Sequence, residues 1–149
     1  MKVRYFEDYD DVKEIITPGR TIGETDIINF AGFSGDWSQM HTNAEYARVG
    51  VFGERIAHGA LTFSVSTGLI VRAGVLDEES FIAFYGVDNL RFLSPVLIGD
   101  TVHCKCQVKE KNEKEKSGVV SMEIRTLNQR RQDVLIYTMK IAVKKRKVA

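Results

Sequence analysis

Asp36 and His41 are the two side chains in this sequence whose types and spacing best suit proton transfer. They lie five positions apart in a polar segment, residues 34–41, that has apolar residues on both sides. A carboxylate and an imidazole that bond the same water can take one proton from it and deliver another. Addition of water to a double bond conjugated with a carbonyl needs both steps. The alternative is that Asp36 caps the following turn and His41 is an ordinary loop histidine.

A second feature, His58-Gly59, precedes a predicted helix. At a helix N-terminus, unpaired backbone N–H groups and the positive end of the helix dipole can stabilise an oxyanion. Gly59 lets a ligand approach the bare backbone, although a glycine packed tightly under a sheet fits the sequence equally well. His58 is either a donor that faces the ligand or a structural histidine that bonds a loop carbonyl.

Helices are predicted in the first half of the chain, where they would position these residues. Apolar residues at three- and four-residue spacing predict a helix over residues 24–33, capped by Gly23 or Thr25 and broken by Gly32 and Gly35. A short helix is expected after His41, and the longest helical pattern covers about residues 60–73. This last pattern is apolar almost all round, so we expect that helix to be buried on all sides.

Strands are predicted from Phe81 onward, where the apolar period changes to two. They cover residues 81–85, 90–93, 101–109, 119–127 and 134–143, with a turn at Gly86 between the first two. Helices followed by an antiparallel meander place the chain in the α+β class, with the long helix buried against the sheet.

Length and composition indicate one domain. With 149 residues, of which 44% are hydrophobic and 28% charged, the chain can bury a single core. We expect residues 1–149 to form that domain, with an N-terminal segment, 1–18, and a basic tail, 144–149, at its periphery. The net charge of +1 gives no global field for nucleic acid or an anionic membrane.

No membrane partner, export signal or metal site is expected. The N-terminus lacks the apolar core of a signal peptide, and no apolar run approaches about 20 residues. These features predict a cytoplasmic location. Cys104 and Cys106 would share one face of a strand with His103 beside them. Two thiols and one imidazole fall short of a zinc ligand set, however.

Several of these segments resemble the MaoC-like dehydratase family, also called the (R)-specific enoyl-CoA hydratases. The resemblance runs over about residues 19–143. The sequences that carry it are Phe-Ala-Gly-Phe-Ser-Gly-Asp at 30–36, His41, Glu-Tyr-Ala at 45–47, Ile-Ala-His-Gly at 56–59, and the segments 91–96 and 98–102.

The resemblance implies a hot-dog fold, in which a bent antiparallel sheet wraps a long helix, assembled as a homodimer or higher homo-oligomer. It implies that Asp36 and His41 activate a water for syn addition to a trans-2-enoyl-CoA, giving (R)-3-hydroxyacyl-CoA. The Gly59 N–H would polarise the thioester carbonyl. The substrate would be an acyl-CoA or acyl-carrier thioester, with no cofactor.

The sequence departs from the family motif, G-D-x-N-P-x-H, at Ser38 and Gln39. This removes the fixed backbone angle of a proline and the amide of an asparagine, although Ser38 can still hydrogen-bond. Thr67 lies where relatives often carry a serine near the active site. A bond from its hydroxyl to the helix backbone is the alternative.

Two other functions fit the same sequence. One is an acyl-CoA thioesterase, because the hot-dog fold hosts both chemistries. The other is a non-catalytic acyl-thioester-binding subunit, which the altered Ser38-Gln39 loop favours. The phosphates of CoA need local cations, for which Arg55, Arg72, Arg91 and basic residues near Lys105 are the candidates.

Overall fold

The computed structural model describes residues 3–146. A 3₁₀ turn, Phe6–Tyr9, precedes two short strands, four helices and four long strands. The short strands are β1, Ile15–Ile16, and β2, Arg20–Thr21. The helices are α1, Glu24–Ser34, α2, Gln39–Thr42, α3, Ala44–Arg48, and α4, Gly59–Arg72. The long strands are β3, Phe81–Phe92, β4, Thr101–Glu113, β5, Ser117–Leu127, and β6, Asp133–Lys144.

The strands form an antiparallel sheet in the order β1-β4-β5-β6-β3, with β2 also paired to β4. The helix α4 packs against this sheet and buries Leu61, Val65 and Leu69, which recur at four-residue spacing. Full burial of such a side chain contributes roughly 1.5–3 kcal/mol. The α+β arrangement expected from the sequence is therefore confirmed, with α4 held in place by the centre of the sheet.

The helix α1 ends where the polar segment begins. Gly35 has a φ of 80°, and its N–H bonds the carbonyl of Ala31 at 2.9 Å. Glycine adopts this left-handed conformation without the steric penalty of a side chain, so it ends the helix cleanly. The predicted helix is confirmed, but the prediction that Gly32 also breaks it is wrong, because Gly32 lies inside α1.

Two other expectations about the elements are wrong. The turn expected at Gly86 is absent, because Gly86 pairs with Lys140 and β3 continues to Phe92, with register shifts that absorb the irregularity. The helix α4 is not buried on all sides. Its outer face exposes Ser64 and leaves Val71 52% accessible to solvent.

The N-terminal segment expected at the periphery contributes to the core. Phe6 and Tyr9 are buried, and the Tyr9 hydroxyl donates to the carbonyl of Val75 at 2.8 Å. In the basic tail, Lys145 pairs with Glu113 and Arg146 pairs with Asp8. Residues 147–149 of that tail lie outside the described part of the chain. None of the helices between residues 3 and 146 is long and apolar enough to span a membrane.

Candidate active site

Asp36 lies directly after the glycine that ends α1, in the short loop before α2. Its Oδ1 accepts hydrogen bonds from the backbone N–H and the hydroxyl of Ser38, the former at 3.1 Å. These bonds, led by the hydroxyl, hold the pKa of the Asp36 carboxyl below its usual value. The side chain is exposed, so it presents an ionised carboxylate with acceptor capacity to spare.

His41 lies on α2, a helical turn that the sequence prediction treated as loop. Its ring is buried, and Nδ1 bonds the carbonyl oxygen of Ile56 at 2.8 Å. Because a carbonyl only accepts, Nδ1 carries the proton in this bond, and in the neutral ring Nε2 keeps its lone pair. The fold therefore holds His41 in the tautomer that can accept a proton at Nε2.

His58 connects the start of α4 to the Asp36 loop. Its Nε2 donates to the backbone carbonyl of Asp36 at 2.9 Å, as expected for a histidine that bonds a loop carbonyl. Its ring lies over that of His41, with centroids 3.9 Å apart, and also contacts Phe30. Only 2% of His58 is exposed, and its Nδ1 has no hydrogen-bond partner within the described residues.

Asp36, His41 and His58 form one cluster. A carboxylate oxygen of Asp36 and one ring nitrogen of each histidine all lie within 4.8 Å of one another. One water that makes hydrogen bonds of about 2.8 Å to two groups can bridge such a separation. The structure thus brings together the two side chains that the sequence paired, and adds a third.

Gly59 is the first residue of α4. Its N–H belongs to the helix turn whose amides lack intrahelical acceptors, so it can donate to a ligand. A Cβ atom at this position would lie 2.9–3.1 Å from three ring atoms of Phe92. Phe92 therefore packs tightly against the Cα of Gly59, as one interpretation of this glycine predicted. This packing does not prevent the Gly59 N–H from donating a hydrogen bond to a ligand.

A cavity of about 740 Å³ lies against His41 and Gly59. Its other lining residues are mainly apolar and include Met40, Phe52, Phe92, Leu93 and Val134. This volume and lining are typical of a site for a small apolar ligand. No local sequence pattern connects these residues, because they come from α2, the loop between α3 and α4, the end of β3 with the residue after it, and β6.

Thr67 is not among the residues that line this cavity. Its hydroxyl donates to the carbonyl of Ser64 at 2.8 Å, which is the helix-backbone bond considered as its alternative. The preceding residue, Ser66, is the buried one, and it bonds the hydroxyl of Tyr137 at 2.9 Å.

The candidate phosphate-binding arginines are also not among the residues that line the cavity. Arg55 pairs with Glu24 at 2.7 Å, and Arg91 donates to the carbonyl of Leu90. Arg72 borders a separate groove of about 560 Å³ on the outer face of α4. The structure therefore does not rank these arginines as phosphate ligands.

Comparisons with known proteins identify relatives that match most of the chain. A family model described as MaoC like domain matches residues 11–129. Protein MaoC of Klebsiella aerogenes is 42% identical over 111 residues, which are 74% of this chain and 32% of that protein. The (R)-specific enoyl-CoA hydratase of Rhodospirillum rubrum is 40% identical over 100 residues, 67% of this chain and 66% of that protein. The chain thus spans about a third of the first relative and about two thirds of the second.

Solved structures agree with the fold. A protein described as a monoamine oxidase regulatory protein, from Archaeoglobus fulgius, superimposes with a TM-score of 0.91 and 37% identity, covering 97% of both chains. A Mycobacterium tuberculosis protein with a double hot-dog fold superimposes with a TM-score of 0.82 and 18% identity, covering 99% of this chain and 46% of its own. At that identity, the second likeness concerns the fold alone.

Proposed function

The chain belongs to the MaoC-like dehydratase family and has a hot-dog fold, and from this premise we propose that it reversibly hydrates a trans-2-enoyl-CoA to the (R)-3-hydroxyacyl-CoA. Relatives named as hydratases and dehydratases support chemistry of this class. The observation that carries the proposal is the cluster of Asp36 and His41 within 4.8 Å, beside a helix N-terminus and an apolar cavity.

In the proposed reaction, one water is held by the Asp36 carboxylate and by Nε2 of His41. Both groups accept hydrogen bonds, so the water directs an oxygen lone pair at C3 of the enoyl group. In this arrangement the Asp36 carboxylate and Nε2 of His41 both act as acceptors, so neither group brings a proton of its own. The proton added at C2 must therefore be the one removed from the water, and its return from the same side gives syn addition.

The Gly59 N–H is the proposed donor to the thioester carbonyl. Negative charge develops on that oxygen as the water oxygen bonds C3, and the amide at the start of α4 stabilises it together with the helix dipole. His58 supports the arrangement, because it bonds the Asp36 backbone and immediately precedes Gly59. Ser38 supports Asp36 directly, whereas the Thr67 hydroxyl bonds the Ser64 carbonyl inside α4 and is assigned no role in the reaction.

The proposed substrate places its acyl chain in the cavity lined by Phe52, Phe92 and Leu93. These side chains give the chain an apolar environment, and burial of each CH₂ group contributes about 0.8 kcal/mol. The thioester would then lie between Gly59 and His41, where the cavity meets the polar cluster. A carrier-protein thioester would use the same position.

A second copy of this chain is the proposed partner at β3. This strand pairs with β6 on one edge, and between residues 3 and 146 no strand pairs with its other edge. It also exposes Ile82, Phe84 and Tyr85. Because an unpaired, apolar edge strand readily pairs with another strand, we expect a homodimer.

Light scattering tests the dimer. Phe84→Glu should produce monomers, whereas Phe33→Glu, which changes a still more exposed phenylalanine on α1, should not. A wild-type chain that is monomeric at micromolar concentrations would contradict this proposal.

A panel of enoyl-CoA substrates of increasing chain length tests the activity. The chain should consume the enoyl absorbance and form the hydroxyacyl product without releasing free CoA thiol. Asp36→Asn and His41→Ala should each remove nearly all of this activity while circular dichroism and the melting temperature show a folded protein. Release of thiol without hydroxyacyl product would identify a thioesterase instead. Saturable binding without turnover on any substrate would identify a non-catalytic subunit.

A further inference from the structure

A second cavity, of about 170 Å³, lies between α2, α3 and the loop that follows α3. We refer to it as the α3 pocket. Its lining includes Met40, Ala47, Val51 and Phe52, with Glu54 as its one charged residue. Ala47 is buried, whereas Met40 is 43% and Phe52 46% exposed. The mechanism described above assigns no role to this small, mainly apolar pocket.

The α3 pocket shares a wall with the larger cavity beside His41. Met40 and Phe52 line both of these spaces, so their side chains stand between the two. Met40 also directly precedes His41 in the sequence, which places the shared wall next to the position assigned to the reacting carbons. An acyl chain that leaves those carbons along Met40 therefore meets the wall, and the α3 pocket lies behind it.

The two side chains of the shared wall are able to move. Both are nearly half exposed, and exposed side chains change rotamer on a timescale far shorter than an enzymatic turnover. Met40 is also unbranched and has three rotatable bonds, so it adapts its shape to an apolar neighbour. Rotation of Met40 and Phe52 would join the two spaces without any change in the backbone.

The volume and lining of the α3 pocket suit a short piece of hydrocarbon. An apolar protein cavity of about 150 Å³ can bind benzene, so a pocket of about 170 Å³ has room for about six carbons of an alkyl chain. Each CH₂ group that moves from water into such a site strengthens binding about fourfold. The same volume is too small for a helix or strand of a partner protein.

We propose that the α3 pocket is a subsite for the distal end of a medium-length acyl chain, which enters it when Met40 and Phe52 rotate. The inference rests on the proposed function, which places the thioester between Gly59 and His41. About six carbons in the pocket, added to the four of a crotonyl group, give an unbranched acyl group of about ten carbons. The protein therefore prefers trans-2-decenoyl-CoA to crotonyl-CoA.

The ratio of kcat/KM for trans-2-decenoyl-CoA to that for crotonyl-CoA measures this preference. Ala47→Leu enlarges a buried side chain that lines only the α3 pocket, so the ratio should fall about tenfold or more. Phe52→Ala removes part of the shared wall, so the ratio should rise about threefold or more. Ala44→Leu is the matched control, because it makes the same change at an exposed position of α3 outside the pocket. It should change the ratio less than about twofold.

Calorimetry with decanoyl-CoA and butyryl-CoA, which lack the double bond, measures the same preference as a ratio of affinities without any reaction. Melting temperatures identify the folded variants, and Phe52→Ala provides the test if Ala47→Leu does not fold. Ratios unchanged in either folded variant would overturn the proposal and place the acyl chain along Leu93 and Val134 instead. If the affinity ratios shift as expected but no enoyl-CoA is hydrated, the proposed function fails and the subsite stands. If enoyl-CoA is hydrated with unchanged ratios, the subsite fails and the proposed function stands.

Discussion

Asp36 and Asp100 are two aspartates whose pKa values are both lowered, in two very different surroundings. The Asp36 carboxylate is exposed, and among residues 3–146 Ser38 alone supplies its hydrogen bonds. Asp100 is only 3% exposed. Burial acts to raise its pKa, but bonds from Arg130, the Leu97 N–H and Gln129 outweigh that effect.

The two carboxylates differ in how many hydrogen bonds they accept. Both oxygens of Asp100 accept two hydrogen bonds, one of each pair from Arg130, so it joins the turn before β4 to the turn between β5 and β6. Asp36 keeps an oxygen for which the described structure shows no donor, and it lies beside His41. A lowered pKa alone therefore does not identify a functional carboxylate, whereas spare acceptor capacity next to a second titratable group does.

The largest expected effect is on the hydration rate, which should depend on Asp36 far more than on Asp100. Asp36→Asn should lower the rate of enoyl-CoA hydration about 10³-fold, because the amide cannot accept a proton from water. Asp100→Asn should retain most of the activity at temperatures where it is folded. Initial rates for both variants, measured well below their melting temperatures, check this. An equal loss of activity in both variants would show that the spare acceptor of Asp36 does not distinguish it from Asp100 in function.

The next largest effect is on stability, where a change at Asp100 should cost more than a change at Asp36. Asp100→Ala should lower the free energy of unfolding by about 3 kcal/mol, because it leaves the Leu97 N–H and both Nη groups of Arg130 without their acceptor. Asp36→Ala should change it by less than about 0.5 kcal/mol, since its site is exposed. Urea denaturation of both variants gives the two values. A larger loss for Asp36→Ala would contradict the structural role assigned to Asp100.

The stabilising effect of Asp100 should also depend on pH. The pKa of Asp100 is lower in the folded chain than in the unfolded one, so its stabilising effect is present above the unfolded pKa of about 4. The effect is lost as the pH falls through the folded value. The stability difference between the wild type and Asp100→Asn should therefore shrink as the pH falls from 6 to 3. A difference that grows on acidification would contradict this sign.

The smallest expected effect concerns Ser38. Ser38→Ala removes the hydroxyl that contributes most to the lowered pKa of Asp36. The acid limb of the pH profile of kcat/KM should move to higher pH, and the rate at neutral pH should fall less than tenfold. Ser38→Thr retains a hydroxyl and should keep the wild-type profile. Identical profiles for the alanine and threonine variants would exclude this role for Ser38.

Periodicity predicted the helices and the later strands well. The helix predicted at 24–33 and the strands predicted at 119–127 and 134–143 agree with the structure to within two residues at each end. The prediction failed at Gly86, where pairing with β6 outweighs a local turn signal. It also failed for the outer face of α4, which was expected to be buried but leaves Ser64 exposed and Val71 52% accessible to solvent.

For the candidate site, residue types and the family resemblance predicted Asp36, His41 and Gly59. Their catalytic roles stay predictions, as do the absence of a cofactor and the cytoplasmic location. The sequence offered no signal for α2, for the bond from His58 to the Asp36 carbonyl, or for the packing of Phe92 on Gly59. These contacts join residues up to 33 positions apart, and local periodicity carries no information about them.

The sequence by itself determined the local conformations: a helix that ends at a left-handed glycine just before Asp36, a long helix that begins at Gly59, and the alternating burial of β4 and β6. Those follow from steric and hydrophobic preferences of neighbouring residues. Only the tertiary structure decided that His41 and His58 stack and which nitrogen of each is already hydrogen-bonded. It also decided that, within the described residues, one oxygen of Asp36 has no donor whereas both oxygens of Asp100 do. Hydrogen bonds between distant segments set these features, and they exist only once α1, α4 and the sheet have packed.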